Sequence, residues 1–159
     1  MAKRISILGS TGSIGVNTFN VIDQLDEDLE VVYLSAYQNS KKIIEQAKKY
    51  RPQAVAVIND SSAVDVKDGL AGESIDVLMG REGLLEISQR DDVDLLMNGL
   101  VGSSGMEPTL NAVKAGVDVA LSNKESMVMA GDIINRTKEK TGASTVSYTH
   151  LTLPTNREV

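Results

Sequence analysis

The chain has 159 residues, of which 42% are hydrophobic and 24% are charged; this composition excludes intrinsic disorder and predicts one packed domain. A net charge of −6 and an aromatic content of 3% argue against a nucleic-acid partner, which needs basic patches and stacking rings. The chain has no Cys, which excludes disulfides and thiolate metal sites. There is no apolar run of ~18 residues and no signal-peptide pattern, so we expect a cytoplasmic protein that is not embedded in a membrane.

A short aliphatic run, a turn and a stretch of helical periodicity alternate along most of the chain. Each run has about five residues rich in Val, Ile or Leu, as in parallel strands that are covered on both faces. This alternation predicts βαβ units, and hence a Rossmann-like doubly wound parallel α/β sheet in a single domain, with the first strand central. The predicted strands are Arg4–Leu8, Glu30–Leu34, Ala54–Ile58, Ile75–Met79, Val93–Met97 and Val117–Leu121.

Apolar residues at helical spacing predict the helices between these strands. Pro108 stands where a first helical turn tolerates proline, and Gly116 stands where that helix would end. The first predicted apolar face consists of Ile14, Thr18, Val21, Ile22 and Leu25, the second of Ile43, Ile44, Ala47 and Tyr50, and a weaker third of Leu84, Leu85, Ile87 and Ser88.

The last fifteen residues, TVSYTHLTLPTNREV, do not follow this alternation. One interpretation is an edge strand that ends at Pro154. The interpretation we favour is that residues 144–159 are a non-native or disordered tail, because they resemble translated adapter sequence at the end of an assembled gene fragment. The predicted domain is then 1–143. His150 in this tail has no visible partner, so we assign it no catalytic or metal-binding role.

A glycine-rich loop follows the first strand directly. Its spacing, G-x-x-G-x-x-G, is a variant of the dinucleotide-binding loop, in which glycines allow a tight turn and bring backbone amides close to a pyrophosphate. A P-loop is excluded because no Gly-Lys-Ser/Thr follows. A glycine-rich turn can also simply join a strand to a helix, but its position at the first strand–helix junction favours nucleotide binding. The loop consists of Gly9, Ser10, Thr11, Gly12, Ser13, Ile14 and Gly15.

The residues after the second strand bear on the choice of cofactor. An NAD site places a carboxylate there for the ribose 2′-hydroxyl, whereas this chain has the sequence SAYQNSKK at positions 35–42. Polar donors and two lysines favour a 2′-phosphate, and therefore NADP over NAD. The alternative is structural: Ser40 caps a helix, and Lys41 and Lys42 lie on its solvated face.

Two further segments lie at the predicted carboxyl ends of strands, where open α/β sheets bind their ligands. The fifth strand leads into NGLVGSSGMEPTL, and the sixth leads into LSNKES. Ser122 and Glu125 have the spacing of a capping box, so the second segment could do no more than start a helix. It would nevertheless place Asn123 and Lys124 beside the ligand crevice, and we expect Gly12 and Asn123 to line the same crevice.

In this order and spacing, GSTGSIG, NGLVGSSGMEPTL and LSNKES resemble the 1-deoxy-D-xylulose 5-phosphate reductoisomerase family over about residues 3–140, its N-terminal NADPH-binding domain. The family often has Gly and a basic residue at the positions of Tyr37 and Gln38, where this chain departs from the pattern. The resemblance implies that Lys124 reaches the sugar-phosphate substrate. It implies cofactor contacts by Thr11, Gly12, Ser13 and Ile14 with the phosphates, by Tyr37, Gln38 and Asn39 around the 2′-phosphate, and by Asn123 and Glu125.

The resemblance also implies an activity. The family rearranges 1-deoxy-D-xylulose 5-phosphate and reduces it with NADPH to 2-C-methyl-D-erythritol 4-phosphate, assisted by Mg²⁺ or Mn²⁺, and the parent enzyme is expected to be a homodimer. Its metal ligands belong to an Asp-Ser-Glu-His stretch and a later Glu, and this chain leaves the family pattern after about Ala143. We therefore expect no metal site here and no turnover by the 159-residue chain alone.

Two alternatives remain open. One is the first domain of another NADP-dependent dehydrogenase, of the aspartate-semialdehyde or homoserine type, which would not be expected to carry LSNKES. The other is a non-catalytic nucleotide-binding module.

Overall fold

The computed structural model describes residues 2–122 and 125–147, except for the side chains of residues 125–130 and 147. Within these residues the strands form one parallel sheet, and its order β4-β3-β2-β1-β5-β6-β7 places the first strand at the centre. The strands are β1 (Lys3–Leu8), β2 (Leu29–Ala36), β3 (Ala54–Val57), β4 (Asp76–Met79), β5 (Leu95–Asn98), β6 (Asp118–Leu121) and β7 (Thr145–Ser147). The six predicted strands and the doubly wound α/β class are confirmed.

Helices connect the strands and cover both faces of the sheet. One face packs buried residues of the first three helices and the other packs buried residues of the last three, which gives two apolar cores on opposite sides of the sheet. The helices are α1 (Ser13–Gln24), α2 (Ser40–Tyr50), α3 (Asp60–Gly69), α4 (Gly80–Ser88), α5 (Met106–Lys114) and α6 (Glu125–Thr141), with a 3-10 turn at Gly102–Gly105. The sequence analysis did not predict α3, whose start is capped by the Asn59 side chain.

The buried face of α1 differs from the predicted one. Val21 and Leu25 are 54% and 45% exposed, whereas Gly15, Thr18 and Phe19 are buried. Because Gly15 has no Cβ, the helix can approach the backbone that follows β1. The side of the helix that carries Gly15 therefore faces the sheet. Phe19 then stacks on Tyr50 of α2, with 4.4 Å between ring centroids.

The end of the described chain contains a short edge strand. Thr145–Ser147 form β7, which pairs with β6 in parallel, and the interpretation of residues 144–159 as a non-native or disordered tail stays a prediction. The backbone supports this pairing, because the N–H of Val119 donates to Ser144 O at 2.9 Å. Residues 148–159, which include His150, lie outside the described residues, and the domain boundary at residue 143 stays a prediction.

None of the helices within residues 2–122 and 125–147 has both the length and the apolar character of a membrane-spanning segment.

Candidate functional site

The glycine loop leaves the carboxyl end of the central strand and lies against the loop that follows β5. Gly9 has φ +71°, and a Cβ at this position would lie 3.1 Å from the backbone C and O atoms of Gly99. The N–H of Gly99 donates to Leu8 O at 2.9 Å. The sharp turn and the close approach both require glycine at position 9, and they bring the first and fifth strand ends together.

Ser10 is the residue of this loop that is held most firmly by hydrogen bonds. It is fully buried, and its N–H donates to Ser35 O of β2 at 2.8 Å. The N–H of Gly9 donates to Ser35 Oγ at 3.0 Å. On the other side of Ser10, a Cβ on Gly15 would lie only 2.4 Å from Ser10 O, so α1 packs directly on this backbone.

The start of α1 is open to a ligand. Gly12 is its N-cap, and no side chain among the described residues caps it, whereas α2 and α3 on the same face of the sheet are capped by Asn39 and Asn59. Uncapped N–H groups and the positive end of the helix dipole favour an anion. The four predicted phosphate contacts are exposed or half-buried at this point, namely Thr11, Gly12, Ser13 and Ile14.

The turn after β2 lies at the same edge of the sheet, because β2 pairs with β1. Tyr37, Gln38 and Asn39 are exposed there, with Tyr37 62% exposed. Asn39, not Ser40, caps α2, because its Oδ1 accepts from the N–H of Lys42 at 3.2 Å. The structural alternative for Ser40 is therefore wrong: Ser40 begins the helix itself. A phosphate contact by Asn39 would have to come from its Nδ2, since Oδ1 serves the cap.

The loop after β5 is held by the buried side chain of Asn98. Its Nδ2 donates to Gly105 O at 2.9 Å and to Thr109 Oγ1 at 2.8 Å, and its Oδ1 accepts from the N–H of Leu100 at 3.1 Å. The N–H of Ser122 donates to Asn98 O at 3.0 Å, and Ser122 Oγ donates to Leu100 O at 3.3 Å. These bonds tie the β5 loop to the start of the LSNKES segment.

Three predicted site residues cannot be placed with the others. Asn123 and Lys124 lie outside the described residues, and Glu125 begins α6 but its side chain is not described. The expectation that Gly12 and Asn123 line one crevice therefore stays a prediction.

The described side chains whose pKa departs from the ordinary value lie at the opposite end of the molecule. The bonds from Lys49 and Tyr50 lower the pKa of Asp23, and burial raises the pKa of Tyr33, which donates to Asp92 at 2.8 Å. Asp23 and Lys49 stand in the last turns of their helices, which run back to the amino edge of the sheet. At the carboxyl edge, the described parts of the glycine loop and of the β5 loop are held by backbone and neutral polar hydrogen bonds, and Arg81 and Glu107 form an ion pair at 3.4 Å in the first turns of α4 and α5.

Among the described residues there is no group of three or more His, Cys, Asp or Glu side chains that could hold a metal ion.

Sequence reasoning missed Gln46, a buried residue of α2 that hydrogen-bonds Ser10 on both its side chain and its backbone. The available signal was a polar side chain between Ile43 and Ala47 on an otherwise apolar stripe, which indicates a buried hydrogen-bonding group.

The fold and the glycine loop together define a Rossmann-like domain of the dinucleotide-binding type. The family model for 1-deoxy-D-xylulose 5-phosphate reductoisomerase matches residues 5–131. A reductoisomerase of this name from Chloroherpeton thalassium is 49% identical over 140 residues, which cover 88% of this chain and 36% of that protein. A second, from Halothermothrix orenii, is 41% identical over 134 residues, 84% of this chain and 35% of the relative.

Solved structures agree with the sequence comparison. The reductoisomerase of Zymomonas mobilis in complex with NADPH superimposes with a TM-score of 0.86 at 31% identity, over 92% of this chain and 38% of that one. A reductoisomerase in complex with NADPH, fosmidomycin and magnesium gives 0.85 at 33% identity, over 91% and 36%. This chain belongs to the 1-deoxy-D-xylulose 5-phosphate reductoisomerase family, an NADPH-dependent oxidoreductase family, and it spans just over a third of the length of the curated relatives it matches.

Proposed function

We propose that this chain is the NADPH-binding part of a reductoisomerase that converts 1-deoxy-D-xylulose 5-phosphate to 2-C-methyl-D-erythritol 4-phosphate in non-mevalonate isoprenoid biosynthesis. The observation that carries the proposal is the glycine loop, fixed at the carboxyl end of the central strand against the β5 loop, in a chain of this family. Because the chain belongs to the reductoisomerase family, it is not the first domain of an aspartate-semialdehyde or homoserine dehydrogenase.

The pyrophosphate would bind at the open start of α1. Thr11, Ser13 and Ile14 would supply backbone amides, Gly12, whose own N–H donates to Gly9 O at 3.2 Å, would let the phosphates approach closely, and the helix dipole adds roughly half a positive charge. Because the turn after β2 lies beside this loop, the 2′-phosphate of the same cofactor would reach Tyr37, Gln38 and Asn39. This turn contains no carboxylate that would repel the phosphate.

The nicotinamide half would extend toward the β5 loop and the LSNKES segment. There Asn123 and Glu125 would contact the cofactor and Lys124 would hold the phosphate of the substrate. When bound, NADPH supplies the hydride of the reduction. The described residues do not form a site for Mg²⁺ or Mn²⁺, and we assign no step to a metal. The proposal further includes a homodimeric whole protein in the cytoplasm.

A non-catalytic nucleotide-binding module is the second candidate for the 159-residue chain by itself. Two observations on the described residues favour this candidate. The loops at the carboxyl edge suit phosphates, and there is no cluster of side chains that could hold a metal ion.

Calorimetric titration of the purified 159-residue chain with NADPH and NADH tests the cofactor assignment. We expect NADPH to bind more tightly, and equal affinities would refute the assignment of the turn after β2. Gln38→Asp should weaken NADPH about tenfold, because a carboxylate would face the 2′-phosphate. Gln53→Asp adds the same charge at an exposed position before β3, at the amino edge, and should leave the affinity unchanged.

A coupled assay of NADPH absorbance with 1-deoxy-D-xylulose 5-phosphate tests whether the 159-residue chain is catalytically competent by itself. The absence of turnover at all Mg²⁺ and Mn²⁺ concentrations is the expected result for this chain. Metal-dependent NADPH oxidation would contradict that expectation and favour a complete active site.

A further inference from the structure

Gln46 is a polar residue at a position where the helix α2 is otherwise apolar. It is 9% exposed, and its neighbours on the same stripe, Ile43 and Ala47, are fully buried. A buried amide needs hydrogen-bond partners, because an unpaired one destabilises the fold. Its partners therefore show what the amide does.

Both partners belong to Ser10 of the glycine loop. Ser10 Oγ donates to Gln46 Oε1 at 2.8 Å, and Gln46 Nε2 donates to Ser10 O at 2.9 Å. The two bonds form a reciprocal pair across 36 residues of sequence, and both are buried. Buried, paired bonds of this kind fix geometry, because breaking one leaves its partner unsatisfied in a low-dielectric interior.

The turn assigned to the 2′-phosphate directly precedes α2, the helix that contains Gln46. Asn39 caps α2 through its side chain, and Gln46 lies seven positions further along the helix, about 10 Å at 1.5 Å per residue. A helix is a rigid element over this length. Together with the bonds from Gly9 and Ser10 to Ser35, the Gln46–Ser10 pair therefore fixes how far the turn at Tyr37–Asn39 lies from the loop at Thr11–Ile14.

We propose that Gln46 is a positioning residue that holds the pyrophosphate loop and the 2′-phosphate turn at the spacing of one dinucleotide. It contacts Ser10 and acts through it, without touching the cofactor. A ligand that engages both points binds a preorganised pair of sites, whereas a ligand that engages one point does not depend on their spacing. This inference rests on the proposed function.

The experiment compares two ligands on the full 159-residue chain. NADPH engages both points, and adenosine 2′-monophosphate engages only the turn. Gln46→Met keeps the size of the side chain and removes both hydrogen bonds. We expect its dissociation constant to rise about tenfold for NADPH and less than twofold for adenosine 2′-monophosphate, by calorimetric titration. An NADPH affinity within twofold of the wild type, or an equal weakening of both ligands, would overturn the inference.

A stability control separates positioning from general loosening. Ile87→Val removes one buried methyl group from α4, on the opposite face of the sheet, and should lower the melting temperature while leaving the ratio of the two dissociation constants unchanged. A shift of that ratio in Ile87→Val would show that any destabilisation mimics the effect, and would overturn the inference.

Two further variants keep the test decisive if Gln46→Met does not fold. Ser10→Ala removes one bond of the pair and should weaken NADPH selectively, in the same direction; no selective loss overturns the inference. Gln46→Glu keeps the acceptor for Ser10 Oγ but sets a carboxylate oxygen against Ser10 O. Protonation restores a donor there, so the NADPH dissociation constant of Gln46→Glu relative to the wild type should fall as the pH is lowered. A relative constant that does not change with pH contradicts it.

Failure of the inference is distinct from failure of the proposed function. A wild-type chain that binds neither NADPH nor adenosine 2′-monophosphate refutes the proposed function. A wild-type chain that binds both, beside a Gln46→Met variant that also binds both normally, refutes only the role of Gln46.

Discussion

Replacing Gly15 by alanine is the most direct test of how the glycine loop is held. The added Cβ would lie 2.4 Å from Ser10 O and 2.5 Å from Ser10 C and Cα, whereas unstrained carbon contacts are about 3.5 Å. The shortfall is therefore about 1 Å. Ser10 cannot easily yield, because Ser35 and Gln46 bind it from two sides. The start of α1 must move instead, which we expect to cost about 2 kcal/mol as overpacking.

The assay is thermal unfolding together with NADPH titration. For a chain of this size a loss of about 2 kcal/mol corresponds to a melting temperature lower by roughly 4–8 °C, and displacement of α1 should weaken NADPH at least tenfold. Gly131→Ala is the matched control, because Gly131 lies inside α6 and no atom of the described side chains lies within 4 Å of its Cβ position. The control should raise the melting temperature, since alanine favours helix by about 1 kcal/mol. A Gly15→Ala variant with wild-type melting temperature and affinity refutes the packing argument.

Two other predictions concern stability. Ser6 Oγ is buried with no hydrogen-bond partner in the described part of the chain, so Ser6→Ala should raise the free energy of unfolding by about 1 kcal/mol in urea titration, and a loss of stability contradicts this. The bonds from Lys49 Nζ (2.9 Å) and Tyr50 OH (2.7 Å) lower the pKa of Asp23, so their contribution is present above about pH 4 and is lost as the pH falls through the lowered value. In Asp23→Asn the melting temperature should fall less steeply as the pH is lowered below about 4. A pH dependence identical to that of the wild type would contradict a stabilising role for these bonds.

The sheet was predictable because its strands are short aliphatic runs with no competing pattern. Residues such as Val55 and Leu96 are buried on a parallel sheet, and that environment selects Val, Ile and Leu at every position. The helix α3 lacked such a signal. Its sequence DSSAVDVKDG is mostly polar, with buried residues only at Ala63 and Val66, so its existence depends on packing and on the Asn59 cap rather than on periodicity.

The candidate site was predictable where backbone geometry demands a particular residue type. Gly9 is required by a positive φ and Gly15 by a close approach, and both requirements are visible as glycines in the sequence. The sequence signals only that Gln46 is a polar residue on an apolar stripe; it does not reveal Ser10 as the partner, because two common polar residues 36 positions apart carry no spacing signal. Their pairing follows from how α2 lies on the sheet, which is a property of the tertiary structure.

The order of the strands has a consequence for how the chain folds. Every strand pairs with a near neighbour in sequence except at the junction of β1 and β5, where Arg4 and Asp94 are bonded across 90 residues. Closing so long a loop is entropically costly, and contacts of this range form slowly. Gly9 meets Gly99 only when this junction closes, so the contact between the glycine loop and the β5 loop, where we propose that the cofactor binds, should be among the last features to form. NADPH would then bind only the closed sheet, and its presence should slow unfolding by stabilising this junction.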